Sequence, residues 1–71
     1  MPRAAVTVTK SDSERGYRVA CGKLYDMTRV FLWGEFDCGS ISWQAARAQA
    51  IRYATDWSRT TKRRLKINAN T

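Results

Sequence analysis

Three alanines spaced four residues apart constrain this chain more than any other feature. From Trp43 to about Arg59, the residues Trp43, Ala46, Ala50, Tyr53, Ala54 and Trp57 recur with the period of an α-helix and share one face, with Ile51 at its edge. Gln44, Ala48, Gln49, Arg52, Thr55 and Asp56 take the other face. Only methyl groups hold the middle of the apolar stripe, so the helix must sit close on its partner, and a sheet suits that approach. Trp43, Tyr53 and Trp57 then fill the ends as core residues. Ser42 is a natural N-cap, because its hydroxyl can accept a backbone N–H of the first turn; Ser40 is the other candidate.

The residues before the helix supply the sheet. Residues 4 to 10 alternate Val6 and Val8 with Thr7 and Thr9, which predicts a half-buried strand. The polar run 11–16 ends in Gly16 and reads as a hairpin loop. Residues 17 to 24 form a second strand, with Tyr17, Val19 and Cys21 on one side and Arg18, Ala20 and Gly22 on the other. A turn or irregular link follows over 23–28. Residues 29 to 36 are the most hydrophobic stretch and read as a third strand, in which Gly34 marks a bulge or a close backbone approach. Asp37 to Ser40 breaks it. Beyond the helix, residues 62 to 68 alternate weakly, with Leu65 and Ile67 on one side, as a short extra strand or a basic tail.

The fold class expected is α+β: a three-stranded antiparallel sheet, four-stranded if the last segment pairs, with one helix on one face, in the order βββα(β). Residues 1–61 make one small domain, and 62–71 the basic tail or extra strand. A chain of 71 residues has room for one core. No apolar run approaches the ~20 residues of a membrane helix, and Met1-Pro2-Arg3 leads into polar alternation rather than a signal segment. Two cysteines are too few for a disulfide scaffold, which places the chain in a reducing cytoplasm; Cys21 and Cys38 read as small buried or half-buried hydrophobes.

Composition also narrows the chemistry. With no histidine there is no imidazole base for a Ser-His or Cys-His nucleophile pair, and no zinc site of two cysteines and two histidines. A non-catalytic protein is expected, with no metal, no cofactor and no small-molecule substrate. The net charge of +7 is unevenly placed. Residues 1 to 56 hold all six acids and net +2, whereas residues 57 to 71 hold Arg59, Lys62, Arg63, Arg64 and Lys66 with no acid. A cluster of this kind attracts polyanions.

The third strand carries the functional expectation. Val30, Leu32 and Phe36 share one side; Arg29, Phe31, Trp33 and Glu35 share the other. If Val30 and Leu32 meet the helix, then Phe31 and Trp33 face solvent beside Arg29, joined by Arg18 from the second strand. Aromatic faces stack on bases, and guanidinium groups pair with phosphates and base edges. The alternative is that the two rings are core.

Arg29-Val30-Phe31-Leu32, Gly34, Phe36-Asp37 and the helical Ala45-Ala46-Arg47-Ala48 together resemble the plant ethylene-response-factor DNA-binding domain of the Apetala type. Gly16-Tyr17-Arg18-Val19 is similar to a strand of the arm-binding N-terminal domain of phage integrases. The resemblance covers about residues 16 to 58. It implies a three-stranded sheet, braced by a helix, lying in the DNA major groove, with Arg29 and Phe31 at the family's contact positions and Arg18 nearby. Trp33 is an extra residue relative to that pattern, and residues 38 to 42 lengthen the link into the helix.

The function expected is that of a small DNA-binding protein, an accessory or regulatory factor of a phage or mobile element, with double-stranded DNA as partner and no membrane. Arg18, Arg29, Phe31 and Trp33 would enter a groove, while Arg59, Lys62, Arg63, Arg64 and Lys66 bind the backbone. The alternative is a protein-binding inhibitor or adaptor acting on a host protein complex, since aromatic and arginine surface is also hot-spot composition. A third reading is a self-associating protein that pairs through its sheet face or edge.

Overall fold

A computed structural model describes residues 4–22 and 28–68. In chain order the elements are β1 (Val6–Ser11), β2 (Gly16–Cys21), β3 (Arg29–Leu32), β4 (Gly34–Phe36), β5 (Gly39–Ile41), α1 (Trp43–Thr61) and β6 (Leu65–Ile67). The link expected over 23–28 lies outside the described residues except for Thr28.

The fold is α+β, and its main sheet is mixed. Four strands run in the order β3-β2-β1-β6. β1 pairs antiparallel with β2, and β2 with β3, as expected, whereas β6 pairs parallel with β1. The helix explains that direction. α1 starts near Lys10, whose ammonium lies 5.7 Å from the Trp43 ring, at the end of β1. It ends where Arg63 Nη1 donates to the Ala4 carbonyl, at the start of β1. The chain is thus returned to the beginning of β1, and the strand that follows must run alongside it in the same direction. Residues 62–68 therefore hold an extra strand rather than a free tail.

The stretch 29–36 is two strands, not one. Trp33 lies between them, its N–H bonded to the Arg15 carbonyl at 2.9 Å, and Gly34 takes φ +126°, a conformation that L side chains rarely adopt. The chain swings there out of the main sheet. β4 pairs with β5 in a separate hairpin, closed by Asp37-Cys38 and by Gly39 at φ +125°. The segment expected to break the strand is this turn together with the first residues of β5.

α1 follows the expected stripe and runs two residues past Arg59. The Ser42 hydroxyl accepts from Ala45 N at 3.1 Å, which settles the N-cap. At the other end Lys62 is left-handed (φ 54°), and the Arg63 N–H reaches back to Ser58 O at 3.0 Å. Ala46, Ala50, Ala54 and Trp57 are buried against Val6, Val8, Tyr17, Val19 and Cys21. The three alanine methyls bring the helix down onto β1 and β2, as the spacing predicts.

Two core expectations need correction. Trp43 is 47% exposed. A 19-residue helix spans about 28 Å, whereas a six-residue strand spans about 20 Å, so the first turn overhangs the sheet. Cys38 sits in the hairpin turn and is exposed, while Cys21 is buried as expected.

Candidate nucleic-acid interface

Directly paired residues on neighbouring strands share a face, so the registers fix what each side of the sheet carries. Toward the helix lie Val6 with Cys21 and Leu65, Val8 with Val19, Arg29 and Ile67, and Tyr17 with Phe31. Away from it lie Lys66 with Thr7 and Ala20, Thr9 with Arg18 and Val30, and Gly16 with Leu32. No element among the described residues covers that second face.

The orientation expected for the third strand is therefore reversed. Phe31 and Trp33 turn toward the helix side and are half-buried against the core. Phe31 meets Tyr53 with ring centroids 5.6 Å apart, and Trp33 meets Tyr17 at 5.5 Å. Arg29 goes with them, its guanidinium 5.5 Å from the Tyr53 ring. Val30 and Leu32 take the open face, where Leu32 is 44% exposed. The cause lies in β2: Tyr17 must be buried with Val19 and Cys21, and its direct partner Phe31 is carried to the same side. Three of the four residues expected on the open sheet face are thus not there.

Arg18 is there as expected. It is exposed and bonded to the carboxylate of Glu14, four residues earlier in the β1–β2 loop. The surface around it is small and polar. The Thr7 hydroxyl donates to Ala20 O at 3.1 Å, and the Asn68 amide donates to the Thr9 hydroxyl. Gly16 lies beneath Val30 and Leu32, where an added Cβ would stand 2.7 Å from Val30 Cγ1 and 2.8 Å from Leu32 Cδ2.

The C-terminal cations divide into two groups. Arg59, in the last helical turn, favourably faces the helix dipole and is exposed; Lys62, Arg64 and Lys66 are exposed as well. Lys66 projects on the open face, two strands across and two residues along from Arg18, or about 12 Å. Arg63 differs from these. It is half-buried, its Nη1 donates to Ala4 O at 3.2 Å, its carbonyl accepts the Ser58 hydroxyl, and its Nε is buried without a partner among the described residues. It ties the helix end to β1, and only part of its charge faces outward.

Two further features were not anticipated. Lys10 sits between two indoles, 5.8 Å from Trp33 and 5.7 Å from Trp43. The β4–β5 hairpin exposes Glu35, Phe36 and Asp37, with Phe36 40% exposed. The sequence signal for the hairpin is the pair Gly34 and Gly39, bracketing Glu35-Phe36-Asp37-Cys38. An open groove of about 220 Å³ runs along α1 between Tyr53, Asp56, Trp57, Thr60 and Thr61. Among the described residues no group of three or more Cys, Asp or Glu is placed to hold a metal ion, and no helix is long and apolar enough to cross a membrane. No family model, curated protein or solved structure matches this chain.

Proposed function

We propose that this protein binds nucleic acid, with duplex DNA as the first ligand to test, through its basic helix end and uncovered sheet face rather than through an aromatic sheet surface. The single observation behind this reading is the exposed placement of Arg59, Lys62, Arg64 and Lys66 in a segment with no acid. Lys66 connects that segment to the open face that carries Arg18. The side chains around them are short or hydrogen-bonded to one another, so a phosphate backbone can approach closely. Contacts of this sort are electrostatic and position a backbone without reading bases. Phe31, Trp33 and Arg29 have no part in this version, because their partners are Tyr53 and Tyr17. Arg63 contributes mainly by holding the helix end in place.

Binding to random-sequence duplex DNA, measured at several salt concentrations, tests the reading. Affinity should fall with salt by about 0.9 in log–log slope for each phosphate neutralised. Replacing Lys62, Arg64 and Lys66 together by Gln should reduce that slope and weaken binding to all sequences alike. Absence of binding at low salt, or a slope that the triple variant leaves unchanged, overturns the proposal in favour of a protein partner.

A further inference from the structure

We propose that two copies of this chain pair through β3, edge to edge and antiparallel, about a two-fold axis at Phe31. The main sheet has two edges, β3 and β6. β6 is guarded. Val6 N–H donates to Arg64 O and Asn68 N–H donates to Val8 O, so Lys66 turns its backbone toward β1, and Leu65 and Ile67 turn theirs outward. The register that would use both outward residues sets the exposed Lys66 opposite its own copy, and like charges directly opposite repel. β3 has no such guard. Val30-Phe31-Leu32 holds no charge and no proline, and no strand among the described residues meets its outer side.

Backbone direction alternates along a strand and fixes the register. Trp33 N–H bonds to Arg15 O on the β2 side, so Phe31 and Arg29 also face β2, opposite Tyr17 and Val19. Val30 and Leu32 therefore turn their N–H and C=O groups outward. In an antiparallel pair, residues that exchange both backbone bonds stand directly opposite one another and share a face. Val30 of one copy opposite Leu32 of the other meets that condition, and the two-fold axis repeats it. Both residues lie on the open face, where Leu32 is 44% exposed, so they form an apolar seam there and both helices stay on the other side. Phe31 falls opposite its own copy at the close, non-bonded position, with its ring half-buried beside Tyr53 on the helix side. Antiparallel joining of β3 to β6 of another copy would instead set open-face Val30 opposite helix-side Leu65 or Ile67, turning the two helices to opposite faces. The self-contact of β3 closes at two copies. It makes one continuous uncovered face on which the two Arg18 residues stand about 16 Å apart, three strands across and two residues along. Four-residue strands give a small interface, and the pairing depends on concentration. It does not rest on the nucleic-acid reading.

Sedimentation velocity over a concentration series, at low and high salt and without DNA, reads this directly. The average mass should rise from monomer to dimer and stop there. Each copy carries +7, so added salt should strengthen the pairing by screening that repulsion, the opposite of its effect on DNA binding. Val30→Glu and Leu32→Lys should each give monomers, because each puts an unpaired charge into the seam. Mixing the two should restore dimers, because the introduced carboxylate then faces the introduced ammonium across the two-fold. Val30→Pro removes an outward N–H and should abolish pairing, whereas Ile67→Pro makes the same change at the guarded edge and should leave it intact. Circular dichroism confirms that each variant is folded. A wild-type chain that stays monomeric at the highest concentration and salt overturns the proposal, as does assembly past a dimer, a pairing that salt weakens, or a mixture that fails to associate. Loss of pairing at Ile67→Pro with none at Val30→Pro overturns it in favour of the other edge.

Discussion

The two faces of the main sheet are built from the same strands but are held in different ways. On the covered face Val6, Val8, Tyr17, Val19 and Cys21 meet alanine methyls and Trp57, and burial is complete or nearly so. On the open face Thr7, Thr9, Arg18, Val30 and Lys66 stand in solvent or lean on one another. Free energy of folding is concentrated on the first face, and charge available to a ligand on the second. Substitutions should therefore separate: those on the covered face change stability, and those on the open face change binding.

The largest effect is expected at Trp57, which is 5% exposed and lies at the end of the alanine stripe. Trp57→Ala removes a whole indole and leaves a cavity, a loss of ~3–5 kcal/mol. A domain of this size has little reserve. Chemical denaturation should show most of the cooperative transition gone at room temperature. A variant whose stability lies within about 1 kcal/mol of wild type, a third or less of that loss, would mean the covered face does not carry the fold.

Ala50→Leu tests the same face by addition. Ala50 is fully buried against the sheet, and a larger side chain must push the helix away. The expected cost is ~1–3 kcal/mol, read as a lower denaturation midpoint. The same substitution at Ala48, exposed on the far side of α1, should be close to neutral. Equal effects at the two positions would show that close helix–sheet approach is not what the alanines provide.

How far the sequence discloses these faces depends on phase. β1 and α1 are legible because each has a single apolar periodicity: Val6 and Val8 in one, the alanine stripe in the other. β3 has no such phase. Val30 and Leu32 are apolar at one parity, Phe31 and Trp33 at the other, so alternation within the strand cannot say which pair turns inward. The register with β2 decides it, through Tyr17 opposite Phe31, and register is a long-range property. The hairpin was hidden for a related reason. Gly34 reads equally as a bulge or as a break, and only its positive φ, set by where the chain must go next, distinguishes them. The parallel direction of β6 follows from where the helix ends, which no local pattern encodes. The cationic segment was legible in composition, but not the diversion of Arg63 to Ala4.

Lys62 lies where the two roles meet. It ends α1 in the left-handed conformation, at a cost of about 1 kcal/mol for a residue with a Cβ, and it also contributes an exposed charge. Lys62→Gly should raise stability by roughly that amount while lowering affinity for duplex DNA. Thermal unfolding and DNA titration should thus move in opposite directions. If both fall together, Lys62 matters for the fold through something other than its backbone angle.

The smallest stability effect is expected at Glu14, whose carboxylate holds the Arg18 guanidinium on the open face. Both side chains are well exposed, and an exposed pair of this kind contributes ~0–1 kcal/mol. Glu14→Gln should leave the denaturation midpoint nearly unchanged. Its effect on binding should be larger, because it removes a negative charge beside Arg18 and frees the guanidinium to meet a phosphate. Affinity for duplex DNA should rise, and the gain should shrink with added salt, since a screened charge matters less. If affinity is unchanged while the Lys62, Arg64 and Lys66 substitutions still weaken binding, then the ligand engages only the helix end and the edge strand. The uncovered face would then be bystander surface, and the contrast between the two faces would reduce to one of stability.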